Sequence, residues 1–305
     1  MIKQTKGFIA APLTGYNPDG SVNLDIIPRY ADMLHKNGII GVFVNGTAGE
    51  GAYLTFDERL TLAESWVGSV PEGFCVLIHV GYADQAESIA LAVHAADIGA
   101  DGIAEIGPSF LKTKGVNALA EYTATTASSA SGLPYYYYHM PSINGLYFPM
   151  KDYLDIAHKV IPNLTGIKFT HDDLKDYKRC LEFRDRTYDI LFGRDEFLLD
   201  GLKAGASGAV GSTYNIMVGL YQELVKAFQD GDLEKAHRLQ SISADTCSLL
   251  HNTGAFGSGL KSIMRMIGLD LGGMRHPQLN LSEKSVMDLK QAVEHSEMIR
   301  FLNKA

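Results

Sequence analysis

The stretch Gly99-Ala100-Asp101-Gly102-Ile103-Ala104-Glu105-Ile106 connects the end of a predicted helix to a predicted strand. Glycine ends a helix at low cost because it adopts the left-handed conformation, and the largely apolar run after it is typical of a strand covered on both faces. Similar junctions recur at Asn37-Gly38 and at Gly205-Ala206-Ser207-Gly208. This repeat predicts strands that alternate with helices, and hence a parallel sheet.

Eight short runs rich in β-branched or aromatic residues lie at 7–13, 40–45, 75–80, 102–106, 134–138, 165–169, 189–192 and 208–210. Helices are predicted between them at 24–35, 56–67, 83–98, 150–160 and 196–204, and Asp172 or Asp173 could cap another. About eight such units predict an α/β protein that forms a closed (β/α)8 TIM barrel. A doubly wound open sheet is the alternative fold, but no GxGxxG motif follows the first strand.

Beyond a last barrel helix near 216–230, the pattern contains helices and no further strand. These helices are predicted at 233–250, 260–267 and 282–300. We therefore expect a catalytic barrel over residues 1–230 and a C-terminal helical bundle over residues 231–305. No linker rich in Pro or Ser separates the two parts, so the bundle is expected to pack against the barrel.

Composition excludes several classes of partner. The net charge of −8 over 305 residues argues against nucleic acid and anionic membranes as partners. Cys75, Cys180 and Cys247 form no CxxC pair or Cys/His cluster, so no metal site is expected. The first seven residues contain no apolar signal region, and no apolar run approaches the ~18 residues of a membrane span. A soluble, cytoplasmic protein is predicted.

Polar or glycine-rich residues follow five of the predicted strands. A barrel of this kind places its active site at the carboxyl ends of its strands, so these residues are expected to meet at one opening. The five segments are Asn45-Gly46-Thr47-Ala48-Gly49-Glu50, Tyr138-His139, Lys168-Phe169-Thr170, Gly193-Arg194-Asp195-Glu196 and Gly211-Ser212-Thr213.

Lys168 is the central candidate. Side chains alternate along a strand, so Ile167 and Phe169 are expected to face the helices while Gly166, Lys168 and Thr170 face the barrel interior. A lysine inside a barrel must be paired or have its pKa lowered, and the neutral amine is a nucleophile. The alternative is a lysine at the strand end that reaches solvent.

Tyr138 is expected at the rim one strand from Lys168, where a phenol can transfer protons. The turn Gly46-Thr47-Ala48-Gly49 can form an anion-binding nest from its amides, or it can be a plain tight turn. Glu50 is expected to be a structural acid that bonds this turn. Asp195 and Glu196 either bind a polyol with Gly193 or simply begin a helix.

Other residues receive weaker assignments. Tyr135 and Tyr137 are expected in the hydrophobic core, and His139 should point away from Tyr138 as a packed histidine. His79 and His171 have no partners at metal-ligand spacing and are assigned no role.

Three motifs connect the chain to a known family. Gly46-Thr47-Ala48-Gly49-Glu50, Tyr138-His139-Met140-Pro141 and Gly166-Ile167-Lys168 correspond to the patterns GxTGE, YxxP and GxK. The chain thus resembles the pyruvate-dependent class I aldolases of the dihydrodipicolinate synthase and N-acetylneuraminate lyase superfamily. Within it, the segments around Asn45, 135–141, 193–196 and 208–215 are most similar to those of the lyases.

The resemblance implies a set of roles. Lys168 would form a Schiff base with the keto acid, and Tyr138 would transfer protons. Thr47 and Ala48 would hold the keto-acid carboxylate. The positions implied to contact the sugar hydroxyls are Thr170, Gly193, Asp195, Glu196 and Ser212.

The implied reaction is reversible cleavage of N-acetylneuraminate to N-acetylmannosamine and pyruvate by a homotetramer. Neither metal nor organic cofactor is expected, because the lysine amine itself supplies the chemistry. Two alternatives remain: an aldolase for another 2-keto-3-deoxy sugar acid, and a non-catalytic sugar-acid-binding protein on the same fold.

Three positions depart from the family patterns. Ile143 stands where the synthases carry an arginine for a second carboxylate, so a dicarboxylate-forming activity is disfavoured. Ala48 replaces a hydroxyl residue, which is expected to weaken keto-acid binding by about 1 kcal/mol. Phe110 occupies about the position of a tyrosine that in many relatives reaches the neighbouring subunit's site, which puts a tyrosine relay across the interface in doubt.

Overall fold

The computed structural model describes residue 2 and residues 4–305. Met1 and Lys3, which belong to the stretch predicted to contain no signal region, lie outside the described residues. Eight parallel strands close into a barrel in sequence order, with β8 hydrogen-bonded to β1. The strands are β1 (Gly7–Ala10), β2 (Gly41–Val44), β3 (Cys75–His79), β4 (Gly102–Ile106), β5 (Tyr135–His139), β6 (Leu164–Phe169), β7 (Asp189–Phe192) and β8 (Gly208–Gly211). The predicted TIM barrel is confirmed, and the open-sheet alternative is wrong.

Helices follow the strands around the outside. Those of the barrel are α1 (Ile27–Lys36), α2 (Phe56–Ser69), α3 (Gln85–Asp97), α4 (Val116–Ser129), the short α5 (Pro141–Asn144), α6 (Met150–Val160), α7 (Leu174–Glu182), α8 (Leu198–Ala204) and α9 (Tyr214–Gln229). Asp173 caps α7 by accepting hydrogen bonds from the amides of Lys175 and Asp176. Asp173 is one of the two residues that the sequence offers as the cap of this helix.

Alternation along the strands separates two hydrophobic clusters. The larger lies between the sheet and the helices and includes Tyr135, Tyr137, Ile167 and Phe169. The smaller fills the barrel interior and includes Ile9, Phe43, Leu77, Tyr136, Tyr138 and Leu191. The faces predicted for β5 and β6 are therefore confirmed. Because the interior is packed with side chains, a ligand can enter only where the strands end.

The C-terminal part consists of α10 (Leu233–Asn252), α11 (Phe256–Met266), α12 (Glu283–Glu294) and a 3₁₀ segment (Glu297–Phe301). Helix α10 packs against α8, α9 and the 3₁₀ turn Asp195–Phe197 that precedes α8. The predicted continuous helix over 282–300 ends instead at Glu294. The division into a barrel at 1–230 and a bundle at 231–305 stays a prediction. Across the described residues, no helix has both the length and the apolar composition to cross a bilayer.

Candidate active site

Lys168 lies near the carboxyl end of β6 and is buried, with 4% of its surface exposed. Its Nζ lies 3.9 Å from the centre of the Phe43 ring and 4.0 Å from that of Tyr138. Burial lowers the pKa of Lys168 to about 7, and the nearby carboxylate of Asp195 offsets part of this effect. A lysine in these surroundings has a large neutral fraction at physiological pH, which is the form that attacks a carbonyl.

Tyr138 pairs with Lys168 in the register of β5 and β6. Its hydroxyl lies 3.3 Å from Thr47 Oγ1 and donates a hydrogen bond to Met140 Sδ at 2.9 Å. Burial raises the pKa of Tyr138 to about 12, so the phenol is protonated in the resting protein. The hydroxyl is therefore a proton donor beside the turn after β2, on the same ring that Lys168 contacts.

The turn after β2 brings Thr47 and Ala48 to the barrel opening. It begins at Asn45 and ends at Glu50, which both have left-handed backbones with φ of 59° and 58°. The amide of Gly51 donates to Gly46 O at 3.1 Å, and a Cβ atom on Gly51 would lie 1.9 Å from Asn45 O. Glycine at 51 is therefore required for the turn to close.

Glu50 does not bond this turn through its side chain, contrary to the sequence-based expectation. Its Oε1 accepts a hydrogen bond from Lys261 Nζ at 3.0 Å, and its Oε2 accepts one from the Arg275 amide at 2.9 Å. Both partners lie in the C-terminal part, more than 200 residues away. Glu50 is structural, as predicted, but it connects the turn to the C-terminal helices.

Thr170 and Gly193 adjoin at the ends of β6 and β7. A Cβ atom on residue 193 would lie 2.1 Å from Thr170 Oγ1, so the hydroxyl occupies space that glycine leaves open. Thr170 Oγ1 is buried and makes no hydrogen bond of normal geometry in the described part of the chain, although it lies close enough to the Tyr138 phenol to lower its pKa. A buried hydroxyl with no well-formed hydrogen bond at the barrel opening is suited to bind a polar group of a ligand.

Asp195 is buried beside the end of β8. Its Oδ2 accepts hydrogen bonds from Thr213 N at 2.9 Å and from Thr213 Oγ1 at 2.6 Å. A Cβ atom on Gly211 would lie 1.9 Å from Oδ1, so glycine is needed for this approach. Burial raises the pKa of Asp195 to about 6, and the bonds from Thr213 oppose that rise. Asp195 is both fixed and electrostatically coupled to Lys168.

Glu196 and Ser212 follow the ends of β7 and β8 and are both partly exposed. Arg194 Nη2 is 2.7 Å from Glu196 Oε1, and its guanidinium carbon lies 5.0 Å from the centre of the Phe197 ring. Glu196 Oε1 thus has a cationic partner. Ser212 is partly exposed and directly precedes Thr213, the residue that fixes Asp195.

His79 and His139 have opposite orientations. His79 lies in the barrel near Tyr138 (5.9 Å between ring centres), and its Nε2 is 3.2 Å from the Ile106 amide. Burial, Arg59 and Lys168 hold the pKa of His79 well below its usual value, so the ring is neutral. His79 was assigned no role from sequence, although alternation along β3 places it on the inner face with Leu77. His139 packs outside against Phe169, as predicted.

The structure brings together most of the residues predicted for the site. Tyr138 contacts Thr47, Lys168 lies against the Tyr138 ring, Thr170 adjoins Gly193, and Asp195 acts electrostatically on Lys168. Sequence reasoning missed Phe43, His79 and Met140. No group of three or more His, Cys, Asp or Glu side chains in the described residues is arranged to hold a metal ion.

A parallel barrel with a desolvated lysine at the carboxyl ends of its strands defines a TIM-barrel protein with a candidate nucleophile at its opening. The Dihydrodipicolinate synthetase family matches residues 4–296. The chain belongs to this family, which confirms the resemblance inferred from the three motifs.

The most similar relatives include two vertebrate proteins. The chain is 38% identical to the N-acetylneuraminate lyase of Gallus gallus in an alignment of length 299 that covers 96% of each protein. It is 40% identical to the N-acetylneuraminate lyase of Mus musculus over 90% of this chain and 87% of the relative. Among solved structures, Proteus mirabilis N-acetylneuraminate lyase superposes with a TM-score of 0.94 at 36% identity, over 97% of this chain and 100% of that one.

Proposed function

We propose that the protein catalyses the reversible aldol cleavage of N-acetylneuraminate to N-acetylmannosamine and pyruvate through a Schiff base on Lys168. The observation that carries this proposal is the desolvated Lys168 amine lying against the Tyr138 ring beneath the turn that contains Thr47. The names of the relatives support the choice of substrate.

Lys168 would attack C2 of the open-chain sugar acid, and loss of water from the carbinolamine would give a protonated imine. This cation accepts the electron pair of the C3–C4 bond when the C4 hydroxyl is deprotonated. The products of this step are N-acetylmannosamine and an enamine on Lys168. Protonation of the enamine at C3 and hydrolysis of the imine would release pyruvate and restore the amine.

Tyr138 would act as a proton relay. Because the phenol is protonated in the resting protein, it can accept the C4 proton only by passing its own proton to another group. The carboxylate of the substrate, held at Thr47 and the amides of the turn near Ala48, is the proposed partner. The distance of 3.3 Å between the Thr47 and Tyr138 hydroxyls supports this proposal, because a carboxylate bound at the turn could contact both.

The far end of the substrate would lie against the ends of β6, β7 and β8. Thr170 Oγ1, the backbone of Gly193, the carboxylates of Asp195 and Glu196, and Ser212 are the proposed contacts for hydroxyl groups. The buried Thr170 hydroxyl supports this assignment because it makes no well-formed hydrogen bond within the protein, and a ligand hydroxyl would supply one.

We also propose that the chain works as a cytoplasmic homotetramer, with the barrel at 1–230 and the helical bundle at 231–305 as its two parts. Phe110 and Leu111, which are 92% and 82% exposed, support burial of this loop by another subunit. Light scattering on the purified protein tests the assembly, and a particle with the mass of one chain would contradict it.

The deciding experiment is borohydride reduction in the presence of N-acetylneuraminate, followed by intact mass and peptide mapping. We expect an adduct on Lys168 with the mass of reduced pyruvate, which requires both imine formation and cleavage. An adduct that forms with added pyruvate but not with N-acetylneuraminate would support the Lys168 mechanism. It would indicate that the substrate is another 2-keto-3-deoxy sugar acid. No adduct with either compound would favour a non-catalytic binding protein.

A further inference from the structure

We propose that Lys261, on α11 of the C-terminal part, is a positioning residue for keto-acid binding, because it holds the turn at 46–50 through Glu50. The inference rests on the proposed function of that turn. Lys261 itself touches Glu50 and not the candidate ligand position, so its effect would be transmitted through the conformation of the turn.

The ion pair between Lys261 and Glu50 is enclosed by protein. Both side chains are 2% exposed, and the Nζ–Oε1 distance is 3.0 Å. Lys261 Nζ also donates to Gly273 O at 2.6 Å and lies 4.5 Å from the centre of the Tyr16 ring. With these contacts, the ammonium group has little freedom to move away from Glu50.

Arg275 supports the same segment from its other side. Its amide donates to Glu50 Oε2, while its guanidinium makes two bonds to the Glu58 carboxylate, at 2.6 and 2.7 Å. Glu58 forms the capping box at the start of α2, and Arg275 Nη1 also donates to Tyr53 O. The C-terminal part therefore holds both the turn and the start of the helix that follows it.

A change in the conformation of Glu50 can be transmitted to Thr47 through the backbone of the turn. Glu50 has a left-handed backbone, and its amide donates to Thr47 O at 3.1 Å. A buried carboxylate that loses its cationic partner is unfavourable and is driven toward water. Movement of the Glu50 side chain outward would rotate this residue and reorient the Thr47 hydroxyl and the neighbouring amides.

Lys261→Met tests the inference. We expect the pyruvate concentration for half-maximal borohydride trapping on Lys168, and the KM for pyruvate in the condensation direction, to rise about tenfold, as when one charge-assisted hydrogen bond is weakened. The kcat at saturating pyruvate should change less than KM does. Lys226→Met is the matched control, because it removes an exposed lysine from its pair with Asp230 and should leave both constants unchanged.

Glu50→Gln provides a second test that keeps the size of the side chain. It should raise the half-maximal pyruvate concentration, and it serves in place of Lys261→Met if that variant does not fold. A lowered melting temperature with unchanged pyruvate affinity in both variants would show a structural ion pair and overturn the inference. If the wild-type protein forms no pyruvate adduct, the proposed function fails and the inference falls with it.

Discussion

Lys168 and Lys261 are both buried, with 4% and 3% of their surfaces exposed, yet their neighbours differ. Lys261 contacts the Glu50 carboxylate at 3.0 Å and a backbone carbonyl. Lys168 lies on the faces of Phe43 and Tyr138, and Asp195 acts on it as a neighbouring charge. Burial lowers the pKa of both lysines, but contact with Glu50 counteracts this effect at Lys261.

This difference indicates that burial alone does not decide whether a lysine keeps its proton. An amine paired with a carboxylate keeps its proton and serves as a structural cation. An amine packed against aromatic rings loses the proton more easily and is available as a nucleophile. We therefore expect different roles for these two buried lysines, Lys168 as the nucleophile and Lys261 as a structural cation, and the following predictions test that difference.

The largest expected difference between the two lysines appears when each is replaced by methionine. Lys168→Met should lower the cleavage rate by at least about 10³-fold, because the nucleophile is lost. Its melting temperature should not fall, since an apolar side chain suits the same surroundings. Lys261→Met should retain turnover in the condensation direction at saturating pyruvate. It should melt at a lower temperature, because Glu50 loses its partner.

Steady-state assays and differential scanning calorimetry measure both quantities on the two variants. Substantial cleavage by Lys168→Met would rule out the covalent mechanism.

Tyr138→Phe removes the hydroxyl and keeps the aromatic ring that Lys168 contacts. We expect kcat to fall about 100-fold, within the range for loss of an acid–base group, while borohydride trapping of pyruvate on Lys168 persists. Single-turnover cleavage measured beside the trapping yield separates the two steps. An unchanged kcat would rule out Tyr138 as the proton relay.

Titration of Lys168 predicts the pH dependence of imine formation. With a pKa of about 7, the amine is mostly neutral at pH 8, and at pH 6 only about a tenth of it is neutral. The rate of trapping with cyanoborohydride should therefore rise with pH through 7 and level off above 8. A rate that still climbs above pH 9 would indicate an unperturbed lysine and contradict the assignment.

Met140→Leu has the smallest expected effect. It removes the thioether that accepts the Tyr138 hydrogen bond and leaves the approximate size of the side chain. Loss of one neutral hydrogen bond is worth about 1 kcal/mol, so kcat should change about fivefold. Comparison of kcat with the trapping yield checks that the change lies in proton transfer, since imine formation on Lys168 should be unaffected.

Local pattern was enough to predict much of this molecule. The eight short apolar or aromatic runs, three of them preceded by glycine at a helix end, matched all eight strands, and alternation along β5 and β6 separated Tyr138 and Lys168 from Tyr137 and Ile167. Helix α4 was not among the predicted helices. It is rich in Thr and Ser, which have modest helix propensity, so packing outweighs local preference there.

The remaining features depend on contacts between distant segments. Nothing near Glu50 in sequence indicates that its partners are Lys261 and Arg275. The Tyr138 hydrogen bond to Met140 depends on the backbone that leads into α5, where Met140 is the N-cap residue. Alternation along β3 could have placed His79 in the barrel interior, but His79 was considered only as a metal ligand.

The bond between Glu50 and Lys261 has a consequence for how the protein acquires its function during folding. The barrel is complete at β8, yet the partner that holds its second loop lies on α11, and contacts of such long sequence separation form slowly. In refolding from denaturant, barrel structure should therefore return before tight pyruvate binding does. The delay between the two signals would measure the docking of the C-terminal helices.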